Sequence, residues 1–276
     1  TKNKTDFHGV RRKPGSKKKT HRFQLAMFRL FSKPVGMLPE NKCLPGTTTF
    51  RCCCRVLIVR VLHFTTRNLS SKGRDEPIKD APAKESKHYV LKGAPIYPPF
   101  PSGSEMISIG MGCFWCSESL FWKTKGIVST HVGYQQGTTK NPTYREVCSG
   151  KTNHNEVTRI VYDSKVCPLE KILKIMFETH DPTQVMGQGN DRGTQYRSAI
   201  YYYNKDQKTI IDKVVKAYQE ILNKKGKGKI ATEVELADTF YYAEEYHQQY
   251  DAKPGSRQYC GLRPLGISFP DLSPKE

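Results

Sequence analysis

The stretch MISIGMGCFWCSESLFWK, residues 106–123, decides the fold and sets a cysteine where two elements meet. Its first six residues form the apolar run of a strand, and the residues from Glu118 onward have the spacing of a helix. Cys113 therefore lies at a strand-to-helix junction, at the end of the helix where the macrodipole is positive. We expect this position to lower the pKa of the thiol from about 8.5 towards neutrality and to favour the nucleophilic thiolate.

Two large aromatic residues, Phe114 and Trp115, follow this cysteine directly. Their rings would give a reactive sulfur an apolar pocket, and Gly112 in front of it lets the backbone approach closely. The alternative is a buried, inert cysteine, which is the commonest fate of a free thiol. Position and neighbours together favour a redox-active cysteine with a hydrophobic pocket of its own.

Outward from this stretch, strand and helix patterns alternate along the chain. We predict strands at 105–111, 127–134, 156–163, 198–203 and 230–237. We predict helices at 113–124, 143–148, 168–178, 205–224 and 239–250, with a long loop at 180–195. Strands and helices mixed in this way predict one layered structure, with a sheet on one side and helices on the other.

The net charge of +19 is concentrated at the start of the chain, because residues 1–74 carry 18 Lys and Arg and only two acids. A charge that is not on the folded part argues against nucleic-acid binding by that part. We expect 1–102 to be a basic leader and linker of low order, followed by the folded domain at 103–276. The leader resembles a mitochondrial transit peptide. An over-extended start or a segment without a role are the alternatives, so the predicted location is cytoplasmic or mitochondrial.

The nine cysteines are an odd number and lack the dense spacing of a secreted disulfide scaffold. They indicate a reducing compartment with redox-active thiols. The histidines and cysteines do not have the spacing of a metal site, so we expect no metal. No run of the sequence reaches the about 18 apolar residues that a membrane span needs.

Two polar loops and one glutamate are further candidates for chemistry. Irregular stretches at 133–150 and 180–198, between well-patterned elements, are typical of functional loops. Tyr144 and Tyr196 in them would hydrogen-bond a polar ligand atom, or would pack on the surface. Glu156 opens an apolar strand; facing inward it would have a raised pKa and act as a proton donor, whereas at an edge it would lie in water, the reading the sequence favours.

Together these stretches resemble the A-type methionine sulfoxide reductases, the peptide-methionine (S)-S-oxide reductases. The likeness covers about 105–266. The matching blocks are 112–115, 141–150, 154–162, 180–183, 188–198 and 259–261. The resemblance implies an α+β fold, a two-layer sandwich with a ferredoxin-like mixed sheet and helices packed on it.

The resemblance also implies a role for each matching residue. Cys113 would be the nucleophile that attacks the sulfoxide sulfur. Phe114 and Trp115 would hold the methyl group of the substrate. Glu156 would protonate the sulfoxide oxygen. The remaining members of the implied site would bind or support that oxygen: Tyr144, Tyr196 and Asp191.

The implied reaction reduces methionine S-sulfoxide, free or in proteins, through a sulfenic acid and a disulfide. Thioredoxin would regenerate the enzyme, a monomer without metal, flavin or nicotinamide. Cys260 is the preferred resolving cysteine because its Gly/Pro-rich tail can move. Cys116 is the alternative, although the family commonly has glycine there, and Ser268 stands about where some members carry a second tail cysteine.

Two other functions remain open at this point. Cys113 and Cys116 form a Cys-x-x-Cys pair, which is also the motif of a general dithiol–disulfide oxidoreductase. The basic leader could instead serve a binding module without catalysis.

Overall fold

A mixed six-stranded sheet forms the centre of the structure, a computed structural model that describes residues 73–256 and 259–271. The strands are β1 (Ser104–Met111), β2 (Ile127–Gln135), β3 (Asn155–Asp163), β4 (Gly187–Gln188), β5 (Asp191–Arg192), β6 (Ser198–Tyr202), β7 (Glu233–Leu236) and β8 (Tyr241–Tyr242). The helices are α1 (Phe114–Phe121), α2 (Tyr144–Cys148), α3 (Leu169–Thr179) and α4 (Lys205–Lys224). The six strands lie in the order β7-β6-β1-β3-β2-β8, and β4 and β5 form a separate hairpin.

The four central strands, β6-β1-β3-β2, with α1 and α3 as crossovers, have the ferredoxin-like arrangement. In the six-stranded sheet, β6 and β7 pair in parallel and the other neighbouring strands are antiparallel. This confirms the predicted α+β class and the mixed sheet with helices packed on it.

The largest apolar cluster among the described residues lies between the sheet and the helices. The stripe predicted on the third helix is buried, from Leu169 to Phe177, because its members recur at helical spacing. It packs against Ile107 and Ile109 of β1 and against the buried face of α4, including Tyr218. The core therefore holds β1 rigidly, and β1 ends at Met111, two residues before Cys113.

The helix predicted at 239–250 is wrong. The chain instead forms β8 and two 3₁₀ turns, Glu245–His247 and Tyr250–Ala252. Tertiary contacts override the helical pattern: β8 pairs with β2, and the Gln248 amide hydrogen-bonds to both the N–H and the carbonyl of Val132 at 3.0 and 2.9 Å. We call residues 244–252 the strap.

The predicted loop at 180–195 is more ordered than its composition suggests. It contains the hairpin of β4 and β5 and is followed by a 3₁₀ turn, Thr194–Tyr196. The hairpin and the turn bring Asp191 and Tyr196 to the end of the sheet where β1 leads into α1.

Residues 73–102, which we call the arm, pack on the domain and do not behave as a free linker. Arg74 forms an ion pair of 2.8 Å with Glu146, and Ile78 and Ile96 are buried. His88 is also buried and hydrogen-bonds to Thr130 of β2 at 2.8 Å. The predicted leader up to 72 lies outside the described residues, and the boundary at 102 stays a prediction. Within the described part of the chain, no helix is long and apolar enough to cross a membrane.

Candidate active site

Cys113 occupies the N-cap position of α1, at the junction that the sequence pattern predicts, and its side chain makes no capping hydrogen bond. Its side chain is partly exposed, so a ligand can reach it. Gly112 before it has φ +90°, and a Cβ there would stand 2.7 Å from the Cβ of Gln188. A glycine is therefore required where β1 turns into α1 against the β4–β5 hairpin.

Three cysteine sulfurs lie side by side at this junction. The buried Cys116 hydrogen-bonds through its sulfur to both Cys113 and the exposed Cys260. Its Sγ also lies 3.2 Å from the carbonyl oxygen of Tyr259. Both resolving candidates are thus in place, with Cys116 between the other two.

The expectation that the position at the helix end lowers the pKa of Cys113 below the ordinary value of a thiol is wrong. The hydrogen bond with Cys116 and then burial raise the pKa of Cys113, and the nearby Glu156 adds to this. The same hydrogen bond lowers the pKa of Cys116 to about 7. The hydrogen bond therefore couples the titration of the two thiols, raising the pKa of Cys113 and lowering that of Cys116.

Glu156 faces inward from β3 and is 1% exposed. The backbone N–H of Phe114 donates to its Oε2 at 3.3 Å, whereas its Oε1 is buried without a partner among the described residues. Burial raises the pKa of this carboxyl to about 8. The structure shows Glu156 as an inward-facing acid and not as an edge residue in water. With this raised pKa the carboxyl is neutral near pH 7 and can donate a proton.

Three further side chains of the predicted site lie near this carboxyl, namely Tyr144, Tyr196 and Asp191. Tyr144 and Tyr196 are half-buried, and their pKa values are raised by burial first and by the charge of Glu156 second. Asp191 accepts a hydrogen bond from the Tyr259 hydroxyl at 3.3 Å, and its Oδ2 is buried without a partner in the described part of the chain. The hydroxyls therefore stay protonated, as donors, next to the acid.

The two aromatic residues after the nucleophile candidate belong to an apolar cluster with Tyr134, Tyr144 and Val147, which we call the aromatic pocket. Phe114 is buried, and Trp115 is partly exposed. Trp115 stacks on Tyr250 with ring centroids 4.0 Å apart, and its Nε1–H donates to Nδ1 of His247 at 2.9 Å. Burial lowers the pKa of His247 to about 3, so the ring accepts this bond in its neutral form.

Sequence reasoning missed three residues of this site. The Tyr134 hydroxyl donates to Oε2 of Glu244 at 2.9 Å, and Glu244 also accepts the backbone N–H of Tyr144 at 2.8 Å. His247 contacts Phe114, Trp115 and Tyr144. The signal was present in the polar run at 244–249 between aromatic residues, but the helical interpretation of that run hid it.

The arrangement combines a thiol pair, a neutral buried acid and two hydroxyl donors around one apolar pocket. It can attack an electrophilic centre and protonate an oxygen on that centre, which is general acid catalysis next to a nucleophile. Among the described residues, no group of three or more His, Cys, Asp or Glu side chains is placed to hold a metal ion.

Comparison with known proteins shows which family the chain belongs to. The sequence model of the family "Peptide methionine sulfoxide reductase" matches residues 105–266. Peptide methionine sulfoxide reductase MsrA of Rippkaea orientalis is 51% identical over 185 residues, 67% of this chain and 84% of the relative. The MsrA of Vibrio cholerae is 50% identical over 189 residues, 68% and 88% of the two chains.

Solved structures agree with the sequence comparison. Methionine sulfoxide reductase A of Corynebacterium diphtheriae superposes with a TM-score of 0.59 at 39% identity, covering 70% of this chain and 95% of that one. Mxr1 from Saccharomyces cerevisiae in its reduced form gives a TM-score of 0.53 at 34% identity, covering 59% and 93%.

Proposed function

Because the chain belongs to the peptide methionine sulfoxide reductase family and is an enzyme that reduces methionine sulfoxide, we propose that Cys113 is the nucleophile of that reaction. Cys113 is partly exposed at the start of α1 and lies next to the aromatic pocket. When the substrate arrives, the thiol of Cys113 transfers its proton to Cys116, with which it is hydrogen-bonded. This transfer leaves the nucleophilic thiolate on Cys113.

The observation that carries the proposal is the unpaired oxygen of Glu156. A buried carboxyl oxygen without a partner is costly unless a ligand completes its hydrogen bonds. The sulfoxide oxygen is such a ligand, and the raised pKa of Glu156, about 8, supplies the proton that this oxygen takes up. Tyr144 and Tyr196 donate to the same oxygen, and Asp191 supports them.

The apolar pocket sets the orientation of the substrate. We place the methyl group against Phe114 and Trp115, which leaves the oxygen towards Glu156 and the sulfur towards Cys113. With three fixed contacts around one tetrahedral sulfur, only one epimer fits, and we propose the S-sulfoxide, free or in proteins.

The proposed cycle uses both resolving candidates in order. Attack by Cys113 and protonation of the oxygen release methionine and leave a sulfenic acid on Cys113. The thiol of Cys116 attacks this sulfur, which forms a disulfide and releases water. Cys260 then attacks the sulfur of Cys116, so Cys113 returns as a thiol and the disulfide moves to Cys116 and Cys260.

An external dithiol must reduce the final disulfide, and it becomes a disulfide itself. We propose thioredoxin for this step, since Cys260 is exposed and offers the disulfide to a protein partner. We further propose that the enzyme acts as a monomer in the cytoplasm or the mitochondrion. For the mitochondrion, the basic leader would be the targeting signal.

A general disulfide oxidoreductase is the second candidate, supported by the contact between Cys113 and Cys116. Reduction of each methionine sulfoxide epimer, and of an unrelated protein disulfide, separates the two functions. Cys113→Ser should abolish reduction of the S epimer, and the R epimer should not react with the unmutated enzyme. Sulfoxide reduction that survives Cys113→Ser would overturn the proposal.

A further inference from the structure

Beneath the aromatic pocket lies a second buried carboxylate, Glu118, which the proposed reaction does not use. It stands on α1 three residues after Trp115 and is 0% exposed. Three donors converge on it: the hydroxyl of Thr130 at 2.9 Å, and the backbone N–H and side-chain amide of Gln249 at 2.7 and 2.8 Å. Among the described residues it forms no ion pair.

The hydrogen bonds that lead to Glu118 run in one direction. Nδ1 of His88 accepts the backbone N–H groups of Val90 and Leu91, so its proton is on Nε2. That Nε2–H donates to the Thr130 hydroxyl, which must then donate to Glu118. Glu118 is thus the final acceptor of a chain that begins in the arm and crosses β2.

The ionised form of Glu118 is the one that this geometry suits, because a protonated oxygen would face a donor. Burial raises the pKa of Glu118 to about 7, and the hydrogen bonds from Gln249 and Thr130 act against that rise. The charge of Lys253, the residue directly after the strap, also lowers this pKa. His88, on the arm side, is neutral because burial lowers its pKa to about 4.

Gln249 anchors the strap to α1 through two hydrogen bonds with Glu118. Its backbone is left-handed, with φ +47° and ψ +42°, a conformation that a residue other than glycine rarely adopts without support. Glu118 supplies that support by accepting its backbone N–H. The neighbouring Gln248 fastens the same segment to β2.

The strap carries one wall of the pocket. Tyr250, the next residue after Gln249, stacks on Trp115, and His247 accepts its indole N–H. Glu244 at the start of the strap holds the hydroxyl of Tyr134. The position of these side chains relative to α1 is therefore set by the bonds between Glu118 and Gln249.

We propose that Glu118 is a positioning residue that holds the strap against α1 and so sets the geometry of the pocket around Trp115. The inference rests on the proposed function in one respect, that this pocket receives the substrate methyl group. Loss of the carboxylate would loosen the wall of the pocket without touching the thiols or Glu156, so it would weaken substrate binding more than the chemical step.

Acrylamide quenching of Trp115 tests the proposal without the use of catalysis. The chain has two tryptophans, so Trp122→Phe provides a background in which Trp115 alone emits. In this background, Glu118→Gln should increase quenching and shift the emission to the red, because the stacked Tyr250 moves away. With methionine S-sulfoxide, we expect a KM about tenfold higher and a kcat within about threefold.

Two further variants make the result decisive. Thr130→Val removes a single donor with little change in shape, and it should move quenching and KM in the same direction by less. Gln207→Leu is the matched control, because Gln207 is also buried and hydrogen-bonded, to Met106 and Tyr203, at the far end of β1. It should lower Tm and leave quenching and KM unchanged.

The proposal is overturned if Glu118→Gln and Thr130→Val leave quenching and KM at the background values, or if Gln207→Leu shifts them equally. Should Glu118→Gln not fold, Thr130→Val decides alone. Failure of the proposed function would be detected in a separate measurement, as sulfoxide reduction by the Cys113→Ser variant. That outcome would not change the result of the quenching experiment.

Discussion

The backbone N–H of Phe114 donates to Oε2 of Glu156 across 3.3 Å, joining the start of α1 to β3. The bond fixes the acid relative to the residue that follows the nucleophile. It also leaves Oε1 facing the site without a partner among the described residues. One backbone contact thus sets the distance between proton donor, sulfur and apolar pocket.

Glu156→Gln should lower kcat/KM in a single turnover by about 10²–10⁴, the usual contribution of general acid catalysis. The amide keeps an oxygen for the N–H of Phe114 but has no proton to transfer. The rate of methionine formation by the reduced enzyme in a single turnover measures the effect, and circular dichroism melts check that the fold persists. A loss of only a fewfold would remove Glu156 from the acid role.

The pH profile of kcat/KM should have a maximum between about 7 and 8. The carboxyl of Glu156 is protonated below its raised pKa of about 8, so the rate falls as pH rises through that value. The thiol pair is ionised above the lowered pKa of Cys116, about 7, so the rate falls as pH drops below it. In Glu156→Gln the decrease above 8 should disappear, and a decrease that persists there would contradict the assignment.

Cys116→Ser and Cys260→Ser should stop the cycle at different species. Both should release one methionine per enzyme, since neither residue attacks the sulfoxide. Cys116→Ser should accumulate a sulfenic acid on Cys113, and Cys260→Ser a disulfide between Cys113 and Cys116. Peptide mapping after one equivalent of sulfoxide identifies each. Cys167→Ala, a change in the core, is the control and should cycle normally with thioredoxin; equal cycling in Cys116→Ser would exclude the relay.

Gly112→Ala should destabilise the protein by about 1–3 kcal/mol, from a left-handed backbone and a Cβ pressed against Gln188. Gly150→Ala is the matched control, because its φ of +71° carries similar strain but nothing lies within 4 Å of the added Cβ. Urea denaturation of both variants separates the two contributions. Equal losses would show that contact with the hairpin contributes nothing.

Asn204→Ala should cost about 1 kcal/mol, because its side chain caps α4 by accepting the N–H of Gln207 at 2.9 Å. Activity should be unchanged, since α4 packs behind the sheet. Thermal melts measure the loss, and Asn204→Asp should recover most of it. If Asn204→Asp is as unstable as Asn204→Ala, the cap is not the source of the stability.

Local patterns predicted those parts of the molecule that local forces determine. The apolar run before Cys113 and the stripe beginning at Leu169 have clear periods, and both formed the expected elements. The strap does not follow its pattern, because the side chains of Gln248 and Gln249 bond to groups more than a hundred residues away. The pKa of Cys113 was missed for a similar reason: the hydrogen bond with Cys116, burial and the charge of Glu156 raise it, and together they outweigh the backbone N–H of Trp115 at the helix end, which lowers it.

The arm connects the start of the described chain to the loop that carries Tyr144. Arg74 pairs with Glu146, whose carboxylate completes the capping box with Thr143 at the start of α2, the helix that begins with Tyr144. A protease that cut on the carboxyl side of Arg74 would remove this ion pair and loosen the loop that presents the tyrosine. A chain shortened beyond this arginine would therefore keep the catalytic residues but lose a contact that orders Tyr144.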